Sequence, residues 1–324
     1  MSTFAAVGSS ALTGDREAPH FVKYAGNPLL TSGVSGQMPS LYWPWVLRVD
    51  DKLASPINRY YMWVSTDHAG ADGYIGLYTA PTVTGPWTYY GQVFKDETSG
   101  NETETPSVVW VPSLSLFYMY YQQVGSTGHL AAQTTNLATS PDGVTWTRVG
   151  IALDVRDSTT WPQSTHTGYL RPHLIAGKWV AYSLLAGGDR PRFGISYSAD
   201  GITWQLDPRP LGYGAEYLTD ESERIEWNST SIIRWRGQLT WVGIISSFAS
   251  GAGDRTGRWC YAPISQDMRS LAGPPRQLFG VTQGWESQYM AFGSLLLDGG
   301  RLHLFYRSGY PTTGVGLATA EVAA

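Results

Sequence analysis

With 324 residues, 42% of them apolar and only 15% charged against roughly 25% in an average globular protein, the chain can bury a large core and is not intrinsically disordered. Its 37 glycines, 14 tryptophans and 20 tyrosines suit many short strands joined by tight turns better than long helices, so an all-β fold is expected. A formal net charge of -4 without any Lys/Arg run offers no electrostatic footprint for nucleic acid or anionic lipid, and no apolar run approaches the roughly 18 residues of a membrane span.

The first residues, Met1 to Pro19, lack the basic start and apolar core of a signal peptide. The expected location therefore stays open between cytoplasm, a mature secreted form and a virion. From there the chain repeats about every sixty residues. Arg59-Tyr60-Tyr61-Met62-Trp63-Val64 is an aromatic strand, followed by Gly85-Pro86-Trp87; Leu116 to Tyr121 is a second such strand, followed by Ser140-Pro141-Asp142-Gly143-Val144-Thr145-Trp146. Trp179 to Tyr182 follows the turn at Gly177-Lys178, and Ser198-Ala199-Asp200-Gly201-Ile202-Thr203-Trp204 closes that unit. Leu239 to Val242 follows Gly237-Gln238, and Leu302 to Tyr306 follows Gly299-Gly300. The tryptophans 87, 146 and 204 lie 59 and 58 residues apart, and the last three turns 60 and 62.

Each unit reads as four antiparallel strands with a Gly-containing outer hairpin. Five such units account for nearly the whole chain, and radial repetition is one way an all-β protein shields its strand edges. The expectation is one domain, a five-bladed β-propeller with blades near 38–94, 104–155, 166–212, 226–279 and 286–322, the N-terminal stretch closing the ring. Asp142 and Asp200 belong to the hairpins. Cys260, the single cysteine, excludes an internal disulfide and reads as a small buried hydrophobe.

First strands of all blades open at one mouth of a propeller channel. Glu104, His166, Glu226 and Glu286 stand at those openings, 62, 60 and 60 residues apart, so three carboxylates and an imidazole are expected to converge there. Second strands return to the same mouth and bring Asp67, His68, Arg190 and Arg307. Tyr42, Trp43, Tyr169, Trp227 and Tyr289 are stacking candidates, and Arg171 a further polar one. Carboxylates, arginines and aromatic faces together suit an oligo- or polysaccharide, whose hydroxyls need fixed partners and whose ring faces stack.

These features resemble the five-bladed glycosidase superfamily containing glycoside hydrolase families 43, 62, 32, 68 and 130. The carriers are Gly26-Asn27-Pro28-Leu29-Leu30, Tyr60 to Asp67, Gly85-Pro86-Trp87 and the two Ser-x-Asp-Gly-x-Thr-Trp segments. The resemblance implies cleavage of a glycosidic bond, commonly of an arabinofuranoside, fructofuranoside or xyloside. Family 43 places a base Asp at blade one, a modulating Asp at blade three and an acid Glu at blade four. Here only Glu226 matches; the stretch Gln37 to Tyr42 holds no carboxylate, and His166 occupies the third-blade position.

On this reading Glu226 is the acid, Asp67 the first candidate base, then Glu104 and Glu286, while His166 holds a hydroxyl or tunes a carboxyl. Two alternatives stay open: a polysaccharide lyase using His166 with Tyr169 and Arg171, and a non-catalytic carbohydrate-binding propeller, for example on a phage tail. Strand alternation sets Tyr169 opposite His166 unless a bulge intervenes. No cofactor is required; the resemblance admits a Ca²⁺ in the channel, with Glu286 or Asp67 as oxygen ligands. Oligomeric state is open.

Overall fold

The computed structural model describes residues 18–66, 73–98, 102–124, 133–154, 166–186, 192–209, 211, 218, 223–248, 255–282, 284–286, 290–309 and 313–322. Two short strands, β1 (Val22–Lys23) and β2 (Leu30–Thr31), precede the blades. Blade one is β3 (Tyr42–Arg48), β4 (Tyr60–Ser65), β5 (Ile75–Ala80) and β6 (Thr88–Phe94). Blade two is β7 (Glu102–Val111), β8 (Leu116–Val124), β9 (Gln133–Ser140) and β10 (Thr147–Leu153). Blade three is β11 (His166–Ile175), β12 (Lys178–Ala186), β13 (Arg192–Ser198) and β14 (Gln205–Leu206). Blade four is β15 (Glu223–Trp235), β16 (Gln238–Phe248), β17 (Arg255–Pro263) and β18 (Arg276–Phe279), and blade five is β19 (Met290–Asp298), β20 (Arg301–Ser308) and β21 (Gly314–Glu321).

Neighbouring strands within each blade pair antiparallel, and consecutive first strands touch in the order β3, β7, β11, β15, β19, with β19 returning to β3. That cycle makes a five-bladed β-propeller. The fourth strand of blade five is supplied by the start of the chain: β1 pairs with β21, Val22 opposite Thr319 and Lys23 opposite Ala318. Asn27 extends the seam, its amide donating to the Leu317 carbonyl at 2.9 Å and accepting from the Leu317 N–H at 2.9 Å.

Aromatic alternation on the strands fills the spaces between blades. Trp63 and Phe117 pack between blades one and two, Tyr118 and Trp179 between two and three, Tyr182, Trp227 and Trp241 between three and four. Trp259 and Leu304 fill the fourth interface, Met62 and Phe305 the fifth. Cys260 is buried in one of these clusters, as its sequence context suggests.

Each outer hairpin also clamps the preceding blade. In the turn at Ser140, the Asp142 carboxylate accepts from the N–H groups of Val144 and Thr145 at 2.8 and 2.7 Å, which frees the Gly143 carbonyl to accept from Trp63 Nε1 at 2.9 Å. The copy at Ser198 repeats this: Asp200 caps Ile202 and Thr203, and the Gly201 carbonyl accepts from the Tyr120 hydroxyl at 2.6 Å. Blade four holds a third copy that lacks the glycine, Ser265-Gln266-Asp267-Met268, with Met268 at φ +58° and its carbonyl accepting from the Tyr182 hydroxyl at 2.8 Å. Asp142 and Asp200 thus serve the turns.

Candidate active site

Every first strand is interrupted where it reaches the mouth. The ladder between first and second strands shifts after Tyr42, Glu104, Gly168, Glu226 and Ala291. In four blades the next residue adopts a left-handed backbone: Trp43 at φ 52°, Thr105 at 58°, Tyr169 at 57° and Phe292 at 39°. Such residues cost on the order of 1–2 kcal/mol each, and the bulge they create re-aims the side chain out of the pleat.

Three of those side chains meet. Trp43 lies 5.4 Å from Tyr169 and 4.9 Å from Phe292, and Tyr169 stacks on Phe292 at 5.6 Å with planes 11° apart. They come from blades one, three and five, so their contact marks the propeller axis. All are buried, and together they floor the mouth. Tyr42 packs on Trp43 at 5.1 Å, and the Arg307 guanidinium, from the second strand of blade five, sits 4.0 Å from the Tyr42 ring centre. The bulge also answers the question of alternation: Tyr169 is turned by the shift between Gly168 and Arg171.

The residue just before each bulge is a carboxylate in two blades only. Glu104 lies opposite Gln122 and is fully buried. Glu226 lies opposite Ile244; its Oε1 accepts from Arg224 Nε at 2.8 Å and from the Ser246 hydroxyl at 2.5 Å. Both contacts fall on Oε1, so Oε2 accepts nothing among the described residues. Gln122 is buried with neither amide atom hydrogen-bonded among the described residues, the condition of a side chain waiting for a ligand group or water. Gln122 follows the aromatic strand Leu116 to Tyr121, and spacing alone does not reveal its burial.

Other expected members fall elsewhere. Glu286 is not in phase with Glu104 and Glu226: it ends a short 3-10 turn, Gly284–Glu286, five residues before the equivalent Ala291. Its Oε2 accepts from Lys23 Nζ at 2.6 Å and the Thr282 N–H at 2.8 Å, its Oε1 from the Tyr306 hydroxyl at 2.7 Å. Glu286 therefore ties β1 into the ring. His166 opens β11 two residues ahead of the equivalent Gly168, paired with Ala186 and, parallel, with Gln133; its side chain is outside the description. Trp227 stacks on Tyr182 at 5.4 Å and lies in the core between blades three and four, away from a stacking role. Arg171 lies below the aromatic floor rather than on the rim. Asp67, His68, Arg190 and Tyr289 lie outside the described residues.

Of the two oxygen ligands that the resemblance would give a channel Ca²⁺, Asp67 lies outside the described residues and Glu286 is engaged elsewhere. The oxygens of Glu286 are taken by Lys23, Tyr306 and Thr282, and the axial layer beneath the floor carries the Arg171 guanidinium. Among the described residues no three His, Cys, Asp or Glu gather as a metal site.

The propeller has solved counterparts. A thermostable family-43 glycoside hydrolase aligns over 90% of this chain and 91% of its own at 15% identity and a TM-score of 0.60. A structure from work on glycoside hydrolase family 130, mannoside phosphorylases that include hydrolases targeting β-1,2 mannosidic linkages in Candida mannan, aligns over 94% and 95% at 13% identity and 0.65. The Bombyx mori family-32 β-fructofuranosidase aligns over 86% of this chain and 59% of its own at 11% identity and 0.57. At such identities the likeness shows the fold alone, a five-bladed β-propeller. No protein-family model matches the chain, and no curated relative matches it in sequence.

Proposed function

We propose that the protein is a glycoside hydrolase whose acid is Glu226 and whose base is Glu104. The observation that carries this is their shared register: each is the last paired residue before the axial bulge of its first strand, on blades two and four of one ring. Equivalent positions in a propeller face one mouth, so the two carboxylates address one substrate from opposite sides of the blade-three strand.

Arg224 and Ser246 hold Glu226 by Oε1, which leaves Oε2 to carry a proton to the departing glycosidic oxygen. Glu104 takes a proton from a water that attacks the anomeric carbon, the inverting course in which two carboxyls flank both sugar and water. Gln122 donates to and accepts from a substrate hydroxyl, and the Tyr42 ring, braced by Arg307, offers an apolar face. Asp67 is the rival base. The substrate is an oligo- or polysaccharide, of furanoside or xyloside type on the resemblance.

The test is turnover on a panel of aryl glycosides and polysaccharides, reading new reducing ends and the absorbance of unsaturated uronates, with Glu104→Gln and Asp67→Asn alongside. New reducing ends without that absorbance, lost in Glu104→Gln and kept in Asp67→Asn, support the assignment. Unsaturated products point to a lyase; glycan binding without cleavage points to a binding propeller.

A further inference from the structure

Beneath the aromatic floor the channel holds a cation with no carboxylate partner among the described residues. Arg171 Nη1 donates to Ser107 Oγ of blade two at 3.0 Å and Nε to the Asn228 carbonyl of blade four at 2.8 Å, while the guanidinium lies 5.2 Å from the Trp45 ring centre of blade one. Elements of four blades thus surround one guanidinium that is 1% exposed. Every one of those partners is neutral. Among the described residues Nη2 donates to nothing, and two more buried polar atoms, Asn228 Oδ1 and Ser229 Oγ, lack partners on the same stretch of β15 that receives Nε.

Among the described residues no carboxylate offsets the charge of Arg171. Burial pulls the guanidinium down to about 9, which leaves it a cation at neutral pH. His173, two residues along β11, is pushed down to about 4 by burial and then by the charge of Arg171, so it is neutral there and adds no second cation. A buried charge is tolerated when it is paired and hydrogen-bonded, and the face of Trp45 supplies only part of that.

We propose that the channel binds one small monovalent inorganic anion of the halide class, held by Arg171 Nη2 and the Ser229 hydroxyl, with the Asn228 amide turned to present its nitrogen. One positive charge matches one negative charge, and none of the described residues that touch Arg171 supplies the further cations a phosphate or sulfate would need. The residues sit on first strands of blades two, three and four, so the anion neutralises the axis and pins those blades together. This holds whether or not the mouth above is a hydrolase.

The test is thermal unfolding of the whole chain in sodium gluconate, then at constant ionic strength with chloride or bromide replacing gluconate. A halide-specific rise in Tm of about 5 °C at one hundred times the dissociation constant is expected, and bromide-soaked crystals should show anomalous density beside Arg171 Nη2. Ser229→Ala should weaken the response at least tenfold in halide concentration, and Arg171→Met should abolish it. If Arg171→Met does not fold, Ser229→Ala and the wild type decide the matter. Equal Tm in gluconate and halide, or bromide found only elsewhere with water beside Nη2, would overturn the proposal.

Discussion

Removing Lys23 should unfasten the propeller. In Lys23→Met the variant keeps the aliphatic stem but deletes the ammonium that contacts Glu286 Oε2 at 2.6 Å, the Gly280 carbonyl at 2.7 Å and the Thr282 hydroxyl at 2.8 Å. Glu286 is 0% exposed, so its carboxylate stays buried without its cation, while the Tyr306 hydroxyl and the Thr282 N–H still donate to it. Breaking one side of a buried pair costs roughly 3–5 kcal/mol, and the 11% exposure of the Lys23 side chain argues for the lower end, about 3 kcal/mol. At about 2 °C per kcal/mol for a domain of this size, Tm should fall by roughly 6 °C. Glu286→Gln in the Lys23→Met background should recover part of that loss, since the uncompensated charge is then gone. Thermal or urea unfolding of the three variants measures it. A loss under about 0.5 kcal/mol, the value of an exposed ion pair, would refute the closing role, and an Glu286→Gln protein that keeps its Tm but loses turnover would return Glu286 to catalysis.

The turn clamps should be modest and independent. Tyr120→Phe and Tyr182→Phe each delete one hydrogen bond to a turn carbonyl on the next blade, so each should cost about 1 kcal/mol and the pair should add, as urea midpoints would show. Gly293→Ala should cost roughly 1–3 kcal/mol or more, because a Cβ there would meet the Phe305 carbonyl oxygen at 2.1 Å; wild-type stability would disprove that close approach. Stability should fall as pH drops from about 6.5 towards about 4, because the unfolded chain protonates His173 in that window while burial keeps it neutral in the folded one. His173→Gln should flatten that part of the pH profile, and an unchanged slope would place the effect elsewhere.

The fold was legible because its signal is periodic: Trp87, Trp146 and Trp204, and the glycine turns, recur at blade spacing. The third outer turn escaped notice because Met268 takes the left-handed position that glycine fills in its sister turns. The site was legible in part. Glu104 and Glu226 do share a register, but the equivalent positions run 42, 104, 168, 226 and 291, separated by 62, 64, 58 and 65 residues. Loops of unequal length between blades therefore put His166 and Glu286 in false phase. The left-handed bulges at Trp43, Tyr169 and Phe292 leave no pattern in residue type, so neither the aromatic floor nor the burial of Arg171 beneath it could be read from alternation.

The central claim is that Glu226 and Glu104 work as an acid–base pair at the mouth. The most direct measurement is turnover of Glu226→Gln against wild type on aryl glycosides of graded leaving ability. An acid's removal should lower the rate by about 10²–10⁴ on poor leaving groups and spare the best ones, which need no proton. A uniform loss across the series, or wild-type rates throughout, would contradict the assignment of Glu226 as the acid.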